Sequence, residues 1–157
     1  MRLSIIVPVY NEIDTIEIII NKILNLKLRD KEIVIVDDFS EDGTREVLSN
    51  FKKNKDLNII FHDKNMGKGA CIKSATKIIK GDYVVIQDAD LEYDPVDYSI
   101  LIEPFIKYNA DVVYGSRFIG GLSPKRLHLF WHTLANKILT LIKNIFTNLN
   151  MTDMETG

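Results

Sequence analysis

The chain is short of several features that would decide its class at once. A single cysteine, Cys71, in 157 residues excludes an internal disulfide framework and points to a reducing compartment. No uninterrupted apolar run reaches the ~18 residues a spanning helix needs. The opening run Leu3 to Val9 is too short for a leader and passes into polar Asn11-Glu12, so no secretory signal is expected. A formal net charge of −2 gives no general pull toward nucleic acid or anionic membrane, and no nucleic-acid partner is expected. Internal repeats and low-complexity linkers are absent as well. What remains is ordinary globular material: 46% hydrophobic and 27% charged residues, in a length that suits one domain with a real core.

Apolar runs alternate with helical periodicities along the chain. Residues 3–10 are a β-branched run and read as a first strand, with Pro8 suggesting that it ends near there. Ile13, Ile16, Ile19, Ile20, Ile23 and Leu24 then recur at helical spacing. A second strand over 32–36 ends in Asp37-Asp38. The turn 40–44 can cap a helix carrying Val47, Leu48 and Phe51. A third strand covers 57–61. The loop Asn65-Met66-Gly67-Lys68-Gly69 opens a helix stopped by Gly81. Residues 83–86 read as a buried fourth strand, 96–108 as a helix and 111–114 as a fifth strand. This alternation, at roughly 25-residue spacing, predicts βαβ crossovers and a mostly parallel α/β sheet.

Past a glycine-rich loop over 115–124, long enough for a lid, a helical period runs from Leu127 to Phe146 with Lys125, Arg126, Lys137 and Lys143 between. That amphipathic helix either packs on a core with a solvated basic face or lies in a membrane interface, where Trp131 and Phe130 would suit it. No helix or strand signal closes the chain at 154–157, so the sequence is expected to be a piece of a longer protein.

The chemistry concentrates where strands end. Open parallel sheets present their ligand-binding groups at the carboxyl ends of the strands. Here those ends carry Tyr10-Asn11-Glu12, Asp37-Asp38, Asp88-Ala89-Asp90 and Gly115-Ser116-Arg117. Asp88, Asp90 and Glu92, at successive i, i+2 positions, suit a hard divalent cation such as Mg²⁺ or Mn²⁺ that bridges phosphate oxygens, with Lys68 and Arg117 adding positive charge. Asp37 or Asp38 can accept from a base N–H, and Glu12 from ribose hydroxyls. The plainer reading of Asp88 to Glu92 alone is a solvated acidic turn.

Other motifs fail. Gly67-Lys68-Gly69 lacks P-loop spacing, Tyr93 and Ser99 replace the Gly and closing Glu of an EF-hand, and His62, His128 and His132 are not spaced with Cys71 as zinc ligands. There is no Gly-x-Ser-x-Gly elbow. Aspartyl phosphoryl transfer would want its Asp-x-Asp after the first strand and followed closely by Thr; here it follows the fourth strand and runs into Leu91-Glu92. A nucleotide-sugar-binding module without turnover would share every donor-site residue.

Ser4-Ile5-Ile6-Val7-Pro8-Val9-Tyr10-Asn11-Glu12, Val36-Asp37-Asp38-Phe39-Ser40, Asn65-Met66-Gly67-Lys68-Gly69, Gln87-Asp88-Ala89-Asp90 and Gly115-Ser116-Arg117-Phe118 together resemble the family 2 glycosyltransferases. Asp94-Pro95, Gly115-Ser116-Arg117 and the segment 152–157 resemble its polyprenyl-phosphate branch, which includes dolichol-phosphate mannose synthases and undecaprenyl-phosphate glucosyltransferases. The resemblance implies a GT-A fold and an inverting, metal-dependent transfer of a hexose from a UDP- or GDP-sugar to a polyprenyl phosphate. By position it implies a donor pocket of Pro8, Tyr10, Glu12, Asp37, Asp38, Lys68, Asp88 and Ala89, and a metal held by Asp88, Asp90 and Glu92. Arg117, Arg126 and His132 would meet the acceptor phosphate, while Asp90, Arg117 and Asp153 would lie at the reacting centre. Residues 1–120 would form the nucleotide-sugar-binding core and 121–157 an acceptor-side loop and helix of the same domain. The protein would work at the cytoplasmic face of a membrane.

Overall fold

The computed structural model describes residues 2–28, 30–116 and 130–153. They form β1 (Leu3–Val9), α1 (Ile16–Leu24), β2 (Lys31–Asp37), α2 (Thr44–Phe51), β3 (Leu57–Phe61), α3 (Lys68–Ala75), β4 (Tyr83–Ile86), a 3₁₀ turn (Pro95–Asp97), α4 (Tyr98–Tyr108) and α5 (Phe130–Thr147). The chain divides into two compact units, Met1–Asp97 and Tyr98–Gly157.

The first unit is an α/β sheet of four parallel strands in the order β3-β2-β1-β4. Alternation along the strands sends residues to opposite faces. Ile6, Val34 and Val36 meet Cys71 and Ala75 of α3 on one face, with Ile60, Ile72 and Ile79 at the margin. Ile5, Val7, Ile33 and Ile35 point the other way and are equally buried. Helix α1 buries Ile16, Ile19, Ile20 and Ile23 completely, the i, i+3, i+4, i+7 stripe its periodicity predicts. Each such side chain contributes about 1.5–3 kcal/mol relative to exposure.

Strand order decides where a ligand can enter. The chain steps outward from β1 to β2 to β3, then returns to place β4 on the other side of β1. The switch point is therefore the crevice between β1 and β4, bordered by residues 10–12 and 87–90.

Strand β1 ends at Val9, one residue past Pro8 and so where the proline suggests, pairing Pro8 with Val36 and Val9 with Asp37. Pairing with β4 stops at Ile6 and Ile86, and the Ile6 carbonyl accepts from the Gln87 amide at 2.9 Å. The missing proline N–H thus falls past the last rung on that side, where no partner needs it. The fourth strand is not fully buried: it is an edge strand, with Val84 48% and Ile86 37% exposed. Its apolar run is real, but only one of its edges is paired among the described residues. Residues 111–114 are not a strand. Val112 and Tyr114 are exposed, and apolar alternation makes a strand only where another edge accepts its hydrogen bonds.

At the amino-terminal edge of the sheet, buried Glu32 accepts from the Ser4 hydroxyl and the Lys80 amide and pairs with Arg2 at 3.3 Å. Burial alone would raise this carboxyl, but those hydrogen bonds and Arg2 outweigh it and hold it below the usual range. Gly81 passes so close that an added Cβ would lie 2.4 Å from Ser4 Oγ and 2.7 Å from Ser4 N. Gly81→Ala is expected to cost about 1–3 kcal/mol by overpacking, read as a lower urea midpoint at unchanged slope. An unchanged midpoint would show that the β1–β4 edge relaxes freely.

Candidate active site

Two loops at the carboxyl edge are buckled together by side chains. After β1, Asn11 takes a left-handed conformation (φ +54°), and its amide donates to Ser40 Oγ at 2.9 Å. Its own Oδ1 accepts from the Glu41 amide at 2.9 Å. The Glu12 amide donates to Thr44 Oγ1 and the Ile13 amide to Asp42 Oδ2. Asp42 also accepts from the amide and hydroxyl of Thr44, so its carboxyl sits below the usual range despite the opposing effect of burial. Ser40, Asp42 and Thr44, read from sequence only as a helix-capping turn, are therefore the scaffold of the loop carrying Tyr10 and Glu12. Tyr10 is half exposed, and Glu12 accepts from the Thr15 hydroxyl at 2.7 Å.

The adjacent aspartates at the end of β2 part company. Asp37 is completely buried: Oδ2 meets Arg45 Nε at 3.0 Å and the Ser40 amide at 3.3 Å, while Oδ1 has no partner. Arg45 lies against the rings of Phe39 and Phe61 and donates to the His62 carbonyl at 3.1 Å. Sequence reasoning missed Arg45, whose role depends on contacts that cross the strand order. Asp38 is used up internally. It accepts from the amides of Met66 at 3.0 Å and Gly67 at 2.6 Å, and lies 2.7 Å from His62 Nδ1. Burial pushes the Asp38 carboxyl up; those hydrogen bonds more than offset it and leave the group below its ordinary range. The neighbouring Cys71 thiol goes the other way, raised to about 11 by burial and by Asp38.

Asp38, His62 and Cys71 are the three-donor cluster found among the described residues. It is a hydrogen-bond hub. Tetrahedral ligands about 2.0–2.2 Å from zinc stand roughly 3.3 Å apart, whereas His62 Nδ1 and Asp38 Oδ1 touch at 2.7 Å, a hydrogen-bond distance.

Across the switch point, Gln87 is 2% exposed and its Nε2 donates to the carbonyls of Asp88 and Tyr93 at 3.0 and 3.1 Å. That clamp, with Leu91 left-handed (φ +65°), closes residues 88–93 into a tight loop. Asp88 is partly buried and Ala89 buried, while Asp90 and Glu92 are exposed, the Glu92 amide donating to Asp90 Oδ1 at 2.9 Å. Lys68, the first residue of α3, places Nζ 2.6 and 2.9 Å from the two Asp88 oxygens. These are hard oxygen donors suited to Mg²⁺ or Mn²⁺, and an ammonium already sits on one of them, so the site attracts cations. Downstream, Lys22 at 2.7 Å and the Val96 amide hold the Asp94 carboxyl below its usual range.

The second unit, Tyr98–Gly157, has polar contacts of its own. Asp153 is buried and accepts from Asn136 Nδ2 of α5 at 3.3 Å. Asn144 brackets Met151, donating to its carbonyl and accepting from its amide, and Ser116 meets Thr152 at 3.0 Å. Helix α5 exposes Trp131, Ile145 and Phe146 at 70–84% while burying Asn136 and Thr140. Arg117, Arg126, the lid residues 117–124, the His132 side chain and residues 154–157 lie outside the described residues. Among the described residues no helix is long and apolar enough to cross a membrane.

The model of glycosyl transferase family 2 matches residues 4–156. The chain belongs to that family. This family 2 chain is 35% identical over 122 residues to the dolichol-phosphate mannosyltransferase of Pyrococcus furiosus, covering 77% of the chain and 34% of that relative. It is 33% identical over 105 residues to a poly-beta-1,6-N-acetyl-D-glucosamine synthase of Staphylococcus epidermidis, covering 67% of the chain and 26% of that relative. It thus spans about a third or less of the length of these curated relatives. The solved mannosyltransferase PcManGT of Pyrobaculum calidifontis, in complex with GDP-Man and Mn²⁺, superposes with a TM-score of 0.53 at 33% identity, over 57% of this chain and 27% of that one. The four-strand parallel sheet with its flanking helices is the GT-A fold of such transferases.

Acid should unfasten the loop scaffold. Asp38 and Asp42 have folded pKa values below their unfolded ones, so the stability they contribute is complete above the unfolded value near ~4. It is lost as pH falls through the lowered folded values. Urea midpoints measured from pH 7 to 3 should hold down to about 5 and then drop, with a shallower drop in Asp38→Asn. An Asp38→Asn profile parallel to wild type would remove Asp38 from the account.

Proposed function

We propose that the complete protein is an inverting hexosyltransferase that moves a sugar from a UDP- or GDP-sugar to a polyprenyl phosphate at the cytoplasmic surface of a membrane. The observation that carries the reading is the pairing of Lys68 with Asp88 at the β1–β4 switch point, in a chain similar to a dolichol-phosphate mannosyltransferase. Anionic donors need positive charge at the crevice, which a cation drawn to these carboxylates together with Lys68 would supply, and neutral parts of the donor suit the Tyr10, Glu12 and Asp37 side of it.

A bound Mg²⁺ or Mn²⁺, held by Asp88 and Asp90 with Glu92 as third ligand, would neutralise the diphosphate as it leaves. Lys68 and Arg117 add fixed positive charge for the same purpose. A lipid phosphate is already anionic at neutral pH and needs no general base, so the remaining demand is to hold two negative groups together. Arg117, Arg126 and His132 are assigned to the acceptor phosphate by their motif positions. The exposed apolar side of α5, with Trp131 and Phe146, suits an interfacial helix.

A second reading, transfer to a saccharide hydroxyl, is favoured by the similarity to a poly-beta-1,6-N-acetyl-D-glucosamine synthase. It would require a base, and Asp153 is the candidate. Its burial and its bond to Asn136 favour a positioning role instead.

The test uses the full-length protein with UDP-glucose, UDP-GlcNAc and GDP-mannose, each against a polyprenyl phosphate and an oligosaccharide acceptor. Transfer to the lipid that requires added Mg²⁺ or Mn²⁺ supports the first reading, and transfer to the oligosaccharide alone overturns it. Asp90→Asn should lower kcat on the order of a hundredfold or more, with Asp153→Asn losing clearly less at an unchanged Tm. Equal losses would make Asp153 the base.

A further inference from the structure

We propose that His62 is a positioning residue for donor recognition, acting through Asp38 on the loop that delivers Lys68. The proposal rests on the nucleotide-sugar reading of the site and assigns a residue which that reading does not use.

His62 follows β3 and is 6% exposed. Its backbone is anchored independently of its ring: the amide donates to the Asp37 carbonyl at 2.9 Å, and its carbonyl accepts from Arg45. The ring spans two elements. Nδ1 lies 2.7 Å from Asp38 Oδ1 on the β2 side, and Nε2 lies 2.9 Å from Ser74 Oγ on α3. Ser74 therefore fixes the ring, and the ring fixes the carboxylate.

What the carboxylate then holds is the entry to α3. Its oxygens accept the amides of Met66 and Gly67, and Gly67 has φ +86° and ψ 160°, a conformation only glycine takes without strain. The next residue is Lys68, whose ammonium reaches Asp88. An unbroken series runs Ser74, His62, Asp38, Gly67, Lys68, Asp88, joining the ends of β2 and β3 to the loop after β4. With an apolar residue at 62, Asp38 would keep its two amide donors and the weak Cys71 thiol donor, and lose the imidazole that fixes its plane. The buried carboxylate then turns more readily about χ2, and the two amides lose the fixed geometry of their acceptor. Asparagine can place Nδ2 near the position of Nδ1 and restore that donor, although it cannot reach Ser74.

The experiment compares wild type, His62→Leu and His62→Asn in the full chain, with two readouts. The first is the amide proton resonances of Met66 and Gly67 in ¹⁵N-labelled protein, displaced downfield in wild type by their carboxylate acceptor. The second is calorimetric affinity for UDP and for GDP, each with Mn²⁺. His62→Leu should move both amides upfield and weaken the bound nucleotide about tenfold, and His62→Asn should recover most of both. Unmoved amides in folded His62→Leu, or a His62→Asn variant no better than His62→Leu, would overturn the proposal. If His62→Leu does not fold, His62→Asn against wild type decides it: Met66 and Gly67 amides displaced from their wild-type positions would overturn it. Should wild type bind neither nucleotide, the donor reading fails, and the amide resonances alone judge the His62–Asp38 link.

Discussion

The whole arrangement depends on β1 being hydrogen-bonded in parallel on both sides, to β2 through Val9 and to β4 through Ile6. Parallel pairing points the carboxyl ends of all the strands the same way, and the asymmetric reach of the two ladders leaves the last residues of β1 open toward β4. Burial of the isoleucines and valines of β1 and β2 on both faces makes that register costly to shift, since a one-residue slip would carry every side chain to the opposite face and undo its close packing there. The site is thus placed by apolar packing that takes no part in its chemistry.

On that frame the polar residues divide between those that tie the loops and those that face solvent. Ser40, Asp42, Thr44, Gln87, Asp38 and His62 spend their hydrogen bonds on the chain itself, tying loops that would otherwise move independently. Tyr10, Glu12, Lys68, Asp88, Asp90 and Glu92 stay partly or largely open to solvent. Asp37 stands between the two groups, ion-paired through one oxygen and unpartnered at the other. Rigid loops carrying exposed charges suit a ligand that is bound and released repeatedly, because little ordering entropy remains to be lost at each event.

Much of this was legible before any coordinates. The period of α1 named its four buried residues, Ile16, Ile19, Ile20 and Ile23, along with Ile13, which lies exposed before the helix, and the strand ends named the edge where the acidic residues gather. Pro8 rightly pointed to a nearby strand end, but why it is tolerated inside the strand depends on how far the neighbouring strand reaches, since its missing N–H faces no partner there. The fifth strand misled because Val112 and Tyr114 carry strand propensity without an edge to pair with. His62 and Arg45 could not be found from sequence, since a histidine 24 residues from its aspartate has no spacing signature.

What the sequence determined by itself was the α/β alternation, the family, and the acidic and basic residue types that stand at the strand ends. Local periodicity and short motifs carry that information because they depend on neighbours a few residues apart. The tertiary structure decided which of two adjacent buried aspartates keeps an unpartnered oxygen and which is fully consumed, that Lys68 meets Asp88, and that the crevice lies between β1 and β4. Those outcomes follow from strand order and side-chain geometry across 20 or more residues of chain, where pattern ends and packing alone chooses.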